Sequence, residues 1–135
     1  MSDQLYQERI VALAKAKTGA GKLADPTRTA RRDNPLCGDR VVIDVRLDGE
    51  GRIAEIGHQV RGCLLCQASA SALSSVAIGC DAAGIAELRH DAERALGRES
   101  GDTHEPFSAF APVAAHTARQ DCVLLPLEAL KDALS

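Results

Sequence analysis

The chain has 135 residues, a formal net charge of −3 and an aromatic content of 2%. A chain of this length can form one domain with its own core, so we expect residues 1–135 to be a single domain. The negative charge and the scarcity of aromatic side chains argue against binding to nucleic acid or to a membrane surface.

The five cysteines are interpreted through the compartment that the sequence suggests. No apolar run is long enough to cross a bilayer, and the N-terminus has no signal-peptide pattern, so we expect a cytoplasmic protein. Cysteines of cytoplasmic proteins bind metals, react or are buried more often than they form disulfides, and an odd number cannot all pair. A thiol site is therefore the first hypothesis.

The first part of the chain predicts one helix and one connecting segment. Asp3 can cap a helix over residues 3–17, in which apolar side chains recur at helical spacing, and Gly19 and Gly21 end it. Residues 22–33 are polar, basic and without periodicity. They predict a solvated loop or, as the functional alternative, a basic lip that covers the site or docks an acidic partner.

A stiff loop over Asn34–Asp39 presents two chemically useful side chains, Cys37 and Asp39. Pro35 fixes one backbone dihedral, and Gly38 can adopt backbone angles that are closed to other residues. In an extended segment, side chains two residues apart point the same way. The cysteine and the aspartate can therefore face one target.

A β-hairpin is predicted immediately after this loop. Residues 40–47 alternate between apolar and polar side chains, residues 48–51 form the turn, and residues 52–60 form the return strand, in which Gly57 marks a bulge. In the first strand, Asp44 is among the residues expected to face water. The side chains expected to face the core are Val41, Ile43, Val45 and Leu47, followed by Ala54, Ile56, His58 and Val60.

Two further cysteines follow the hairpin at a predicted helix start. Cys63 and Cys66 are three residues apart and therefore share a helix face, and the N–H groups at a helix N-terminus favour the thiolate over the thiol. The open ends of an antiparallel hairpin are neighbours. We therefore expect these two residues to converge with Cys37 and Asp39.

The C-terminal half predicts three helices. Residues 66–78 form an alanine- and serine-rich helix, Asp81 caps a second helix, and residues 123–134 show leucines at helical spacing. Cys122 thus lies near a helix start, as the earlier cysteine pair does. Cys80 falls at the far end of its helix, so we expect it to be a passive apolar side chain rather than a ligand.

The resulting constellation suits a soft metal. Three or four thiolates with one carboxylate fit tetrahedral zinc or an iron–sulfur cluster, and spacing alone does not separate these two. A thioredoxin-like oxidoreductase that uses a CxxC pair is a weaker alternative, because the parallel βαβ pattern and the flanking aromatic residue of that class are missing. The candidate residues are Cys37, Asp39, Cys63, Cys66 and Cys122.

Three ordered motifs stand out along the chain: Asn34-Pro35-x-Cys37-Gly38-Asp39, Gly62-Cys63 with the following Ala68-Ser69-Ala70-Ser71, and Arg119-x-x-Cys122-x-x-Leu125-Pro126-x-x-Ala129-Leu130. On these motifs the chain resembles the U-type iron–sulfur scaffold family, which comprises the NifU N-terminal domain, IscU and SufU, and it is most similar to the SufU branch. The match runs from about Leu5 to the C-terminus. The resemblance implies an α+β fold, in which a small antiparallel sheet built on a hairpin is covered by several helices.

The resemblance also implies roles for four residues. Cys37, Cys63 and Cys122 would bind the cluster or accept sulfur, and Asp39 would complete the metal site. The implied function is assembly of a transient 2Fe–2S cluster, with a cysteine desulfurase as sulfur donor and apo iron–sulfur proteins as recipients. Such a scaffold binds and transfers rather than turning over a substrate. The alternative is a zinc-dependent sulfur acceptor of the SufU type, a sulfurtransferase whose zinc the same four residues hold.

Three positions refine this expectation. Asp121 stands where the IscU branch has histidine, so no histidine ligand is expected there. Cys66 stands where many relatives have serine, and it is interpreted as a spare ligand that displaces Asp39, as a resolving thiol, or as a packing residue. Arg119 fits the SufU branch, and it is either a solvated charge or the salt-bridge partner of Asp39.

Overall fold

The computed structural model describes residues 2–36 and 38–135, with side chains described from residue 7 onward apart from residue 37. One antiparallel sheet with the strand order β1-β2-β3 packs against helices, which confirms the predicted α+β fold. The elements are α1 (Ser2–Ala16), β1 (Arg28–Asn34), β2 (Asp39–Leu47), β3 (Ile53–Arg61), α2 (Leu64–Ala77), α3 (Ala82–Ala95), a 3₁₀ helix (Phe107–Ala115) and α4 (Thr117–Ala133).

The central strand β2 provides much of the buried face of the sheet. Val41, Ile43 and Val45 are at most 1% exposed and belong to the core that includes side chains of α2 and α4. Their alternation with polar residues is the signal from which the strand was predicted. In the register of the sheet, Arg40 lies opposite Arg61. The end of β2 that begins at Asp39 therefore lies beside the end of β3, just before α2.

Strand β1 corrects the prediction of a loop over residues 22–33. Arg28–Asn34 pairs with β2 along its whole length. Its polar side chains follow no apolar alternation because it is an edge strand whose charges are paired outside the core. Arg32 Nε donates to Asp132 Oδ2 at 2.5 Å, and this hydrogen bond holds the pKa of the Asp132 carboxyl below its usual value. An arginine-rich edge strand therefore has the sequence pattern of a loop.

Asp44 corrects a second prediction, because it is buried rather than facing water. Its side chain lies on the side of the sheet that the segment before β1 covers. Thr29 Oγ1 donates to Asp44 Oδ1 at 2.7 Å, and the N–H of Leu23 donates to Oδ2 at 3.1 Å. With 4% exposure, the carboxylate anchors the segment that leads into β1.

Gly57 is not the bulge that the sequence predicted. The register shift between β2 and β3 lies at Arg46 and Leu47. Gly57 instead permits a close crossing, since a Cβ there would lie 2.6 Å from the carbonyl oxygen of Gly21. The crossing segment is fixed by His58, whose Nε2 lies 2.8 Å from the carbonyl oxygen of Thr18.

The helices place small residues where two of them meet. Ala68 and Ala72 of α2 are fully buried, and α2 packs against α4. α4 begins at Thr117, earlier than the predicted residue 123, so Cys122 lies in its second turn rather than at its start. The early start was missed because residues 117–121 are mostly polar. Within the described residues, no helix combines the length and the apolar character that crossing a membrane requires.

Candidate metal centre

Three residues from distant parts of the chain meet at one point. Asp39 begins β2, Cys63 is the N-cap residue of α2, and Cys122 lies in α4. One carboxylate oxygen and the two Sγ atoms all lie within 4.8 Å of one another. The strand pairing brings the first two residues together, and the packing of α4 against β2 and α2 brings the third.

The Asp39 carboxylate is oriented by the backbone at the start of α2. The Cys63 N–H donates to Oδ1 at 3.0 Å, and Cys63 Sγ lies 3.6 Å from Oδ2. Gly62 makes the approach possible: a Cβ there would lie 2.7 Å from Asp39 Cγ and closer still to Oδ1. The second carboxylate oxygen is thereby turned toward the sulfur.

These distances and charges suit a cation. A tetrahedral zinc ion with Zn–S of about 2.3 Å and Zn–O of about 2.1 Å has its sulfur and oxygen ligands roughly 3.6 Å apart. Asp39 is 2% exposed and Cys122 is fully buried. No ion pair among the described residues includes Asp39. A buried carboxylate beside two thiols without a cationic side chain is a site in which a metal would balance the charge.

The remaining predicted residues fall in three different settings. Cys37 lies outside the described residues. Cys66 is fully buried in the core and is not a member of the three-residue group among the described residues. Arg119 is exposed and takes part in none of the ion pairs found in the described part of the chain, so the alternative of a salt bridge to Asp39 is wrong. That the predicted ligands bind metal stays a prediction.

A second group of potential ligands is explained by ion pairing. His90, Glu93 and Glu99 have ligand atoms within 4.8 Å of one another on the surface. His90 Nδ1 lies 2.7 Å from Glu99 Oε2, a hydrogen bond that raises the pKa of His90, while Arg89 Nε donates to Glu93. Each of the three side chains is thus within reach of a protein partner, and these pairs account for the proximity of the group without an ion.

Sequence reasoning missed two polar side chains that hold α4. Ser69 Oγ donates to the carbonyl oxygen of Val123 at 2.5 Å, and the side chain of Gln120 is buried against the ends of two other elements. Ser69 lies in the alanine- and serine-rich motif that was identified, but the sequence did not tell which partner its hydroxyl would find. Gln120 carried no signal, because a single glutamine in a polar run is unremarkable in composition.

Residues 5–134 match the sequence model of a family described as the NifU-like N-terminal domain. The chain belongs to the NifU-like N-terminal domain family. The match covers nearly the whole of this NifU-like chain, including all three predicted cysteine ligands. That residues 1–135 make up a single domain stays a prediction.

Three curated relatives of this NifU-like chain are informative. It is 31% identical over 117 residues to a bifunctional NifU/MnmA protein of Rubrobacter xylanophilus, covering 86% of this chain but only 24% of that protein. It is 29% identical to the iron–sulfur cluster assembly scaffold protein IscU of Thermotoga maritima, covering 96% of this chain and 92% of that protein. It is 28% identical to the zinc-dependent sulfurtransferase SufU of Bacillus subtilis, covering 96% and 88%.

Two solved structures resemble the fold of the NifU-like chain. A putative iron–sulfur cluster assembly scaffold protein for the SUF system, from Fervidobacterium islandicum, superposes with a TM-score of 0.88 at 28% identity and covers 100% of both chains. The N-terminal part of a NifU-like protein from Brucella abortus gives a TM-score of 0.84 at 30% identity, covering 97% of this chain and 92% of that one. The fold predicted from the family resemblance is confirmed.

Proposed function

We propose that this chain is an iron–sulfur cluster assembly scaffold. It accepts sulfur from a cysteine desulfurase, binds iron and the growing cluster, and passes the cluster to apo iron–sulfur proteins. The ligands are Cys37, Cys63 and Cys122, with Asp39 as the fourth and more exchangeable one. A 2Fe–2S cluster is the cargo that matches three thiolates and one oxygen ligand.

The observation that carries this proposal is the meeting of Asp39, Cys63 and Cys122 in a chain of the NifU-like family. Thiolates are the ligands that iron–sulfur clusters use, and a carboxylate is a harder, weaker partner for the same iron. Asp39 Oδ1 accepts the Cys63 N–H, while Oδ2 lies beside the Cys63 Sγ and is the oxygen better placed to bind a metal. One weak ligand among strong ones suits a cargo that must leave.

The exposure of the described ligands supports a division of labour between them. Cys122 is fully buried, whereas Cys63 is partly exposed at the start of α2. Of these two, Cys63 is the one that a partner can reach. Its thiolate attacks the terminal sulfur of the desulfurase persulfide, a new S–S bond forms, and the desulfurase cysteine leaves as a thiolate, so that the transfer needs no external oxidant or reductant.

Metal and sulfide analysis of the protein purified without oxygen tests the proposal. We expect iron and acid-labile sulfide in comparable amounts, and visible absorption from thiolate-bound iron. Cys63→Ser and Cys122→Ser should each lose most of both, because each removes a ligand. Cys80→Ser is the matched control, since Cys80 lies outside the ligand group and should keep the wild-type content. Protein without iron under these conditions would contradict the scaffold proposal.

A zinc-dependent sulfurtransferase is the second candidate, and the approach of a thiol to a buried carboxylate agrees with it. The 3.6 Å between Cys63 Sγ and Asp39 Oδ2 is close to the sulfur–oxygen edge of a tetrahedral zinc site. Zinc bound there would keep the thiolates deprotonated until a sulfur donor arrives. One zinc per chain, no iron and no visible absorption would favour this candidate over the scaffold.

A CxxC oxidoreductase belongs to a different class and makes the opposite mutational prediction. It requires Cys66 and is indifferent to Cys122, so Cys66→Ser would abolish its activity. In the scaffold and acceptor proposals Cys122→Ser removes a proposed ligand and loses most of the bound metal or cluster, while Cys66→Ser keeps most of it, because Cys66 is packed in the core. Metal and cluster content together with thiol–disulfide oxidoreductase activity, measured on both variants, separate the two classes.

A further inference from the structure

The two residues before the ligand in α4 are bound to the end of α3. Arg98 Nε donates to Gln120 Oε1 at 2.7 Å, and Nη2 of the same guanidinium lies 3.3 Å from Asp121 Oδ1. Gln120 is 6% exposed, and its Nε2 donates to the carbonyl oxygens of Leu96 at 3.3 Å and Ala114 at 3.1 Å. One buried amide thus ties α4 to the ends of α3 and of the 3₁₀ helix.

The backbone of Arg98 is part of the C-terminal cap of α3. The Gly97 N–H donates to the carbonyl oxygen of Arg94 at 3.1 Å, and the Arg98 N–H donates to that of Glu93 at 2.9 Å. Together with the left-handed conformation of Gly97, at φ +78°, these bonds form a Schellman motif that caps α3. The backbone of Arg98 is therefore fixed relative to α3, and its side chain contacts Gln120 and Asp121 of α4 from that fixed point.

The other side of α4 is held as firmly, just past the ligand. Ser69 Oγ of α2 donates to the carbonyl oxygen of Val123 at 2.5 Å. Cys122 thus lies between Asp121, held by the end of α3, and Val123, held by α2. If the hold on one side is released, the first turns of α4 can shift while the rest of the helix stays packed.

We propose that Arg98 is a positioning residue for the metal centre. Through Gln120 and Asp121 it sets where the Cys122 Sγ stands relative to the other two ligand atoms. This inference rests on the proposed function, since it concerns the same ligands. The rise of an α-helix places Cys122 only about 3 Å beyond Gln120 along the axis. Ligand placement tolerates errors of about 0.5 Å, so a small shift of this turn weakens the site.

The test measures metal binding by the full chain rather than transfer activity. Zinc affinity is obtained by competition with a chelator, and Co²⁺ absorption reports the thiolate contacts and the tetrahedral geometry. Arg98→Ala is the main variant, and Arg98→Met keeps the aliphatic stem in case alanine impairs folding. Arg89→Ala is the matched control: Arg89 also joins α3 to α4, but it donates to Glu128, well past the ligand.

We expect Arg98→Ala and Arg98→Met to bind zinc about tenfold more weakly than wild type, as is typical when an outer partner of a ligand is lost. Their Co²⁺ spectra should lose charge-transfer intensity, whereas Arg89→Ala should keep the wild-type affinity and spectrum. Equal zinc affinity and equal spectra for the Arg98 and Arg89 variants would overturn the inference and leave the proposed function standing. Wild-type protein that binds neither metal through thiolates would overturn both.

Discussion

The carboxylate of Asp39 occupies the space that a side chain at residue 62 would fill. A Cβ at Gly62 would lie 2.7 Å from Asp39 Cγ, closer than carbon atoms approach without a shift of one of them. The backbone of β3 runs directly into the N-cap of α2 at this point, so it has little freedom to retreat. The carboxylate is the group that must move.

Gly62→Ala should therefore weaken metal binding more than it weakens the fold. We expect the Asp39 carboxylate to be pushed away from Cys63, with a loss of zinc affinity of about tenfold, typical of a disturbed ligand. Chelator competition measures this loss, and thermal unfolding of the metal-free protein measures the cost to the fold. Gly49→Ala is the control, because a Cβ at Gly49 meets nothing within 4 Å. Unchanged zinc affinity in Gly62→Ala would show that the carboxylate is not a ligand.

His58 makes stability depend on pH. Burial lowers the pKa of His58 below its usual 6.5, partly offset by the hydrogen bond to Thr18. The unfolded chain then takes up a proton near pH 6.5 while the folded chain does not, so stability is fully present above that pH and is lost as the pH falls through it. Denaturant unfolding should show a decline from pH 7.5 to 5.5 that is smaller in His58→Gln.

The comparison with His58→Gln isolates one histidine. His90 has a raised pKa and contributes in the opposite sense, with stability that is lost as the pH rises, but it is present in both proteins. The difference between the two pH profiles therefore belongs to His58. Parallel profiles would mean that the buried ring does not govern acid sensitivity.

Elements defined by an apolar pattern were predicted from the sequence, whereas elements held in place by polar side-chain contacts were missed. The hairpin β2–β3 followed from the alternation around Val41, and the position of Cys63 at the start of α2 followed from its glycine turn. Strand β1 did not follow, because its charges find partners on α4 and on β2 that no local pattern reveals. The start of α4 was placed too late for the same reason, since buried Gln120 and its neighbours resemble a solvated loop.

Substitution of Asp44 tests whether this carboxylate anchors the segment that leads into β1. Asp44→Ala leaves the Thr29 hydroxyl and the Leu23 N–H without their acceptor, and removal of a buried acceptor costs about 1–3 kcal/mol. We expect the free energy of unfolding, measured with denaturant, to fall by that amount. Asp25→Ala removes an exposed carboxylate from the same segment and should stay within about 0.5 kcal/mol of wild type. Equal stabilities for the two variants would refute the anchoring role.

At the scale of the whole molecule, the candidate site forms only because elements that are far apart in the sequence pack together. Its three described candidate ligands come from the sheet, from the start of α2 and from α4. The hairpin predicted that Asp39 and Cys63 meet, whereas only the family resemblance joined Cys122 to them. The burial of Asp39, its close contact with Gly62 and the hydrogen bonds that hold Gln120, Asp121 and Val123 of α4 could not be predicted from the sequence, because they depend on how the elements pack.

Metal binding should therefore stabilise the whole fold. A ligand that binds only the folded chain adds about 2.7 kcal/mol at one hundred times its dissociation constant. We expect zinc to raise the melting temperature of wild-type protein by several degrees, and a chelator to reverse the rise. Cys122→Ser should lose the rise, and Cys80→Ser should keep it. A rise of the same size in both variants would place the zinc elsewhere.

The distribution of the ligands over β2, α2 and α4 also bears on biosynthesis. A chain that is still emerging from the ribosome has made Asp39 and Cys63 long before it has made α4, and the last of the three sulfur- or oxygen-bearing groups arrives only when that helix docks. Ions captured before α4 docks would be held by an incomplete set of the proposed ligands and easily exchanged. Loading of the proposed site is thus expected to wait until α4 has been made and has docked.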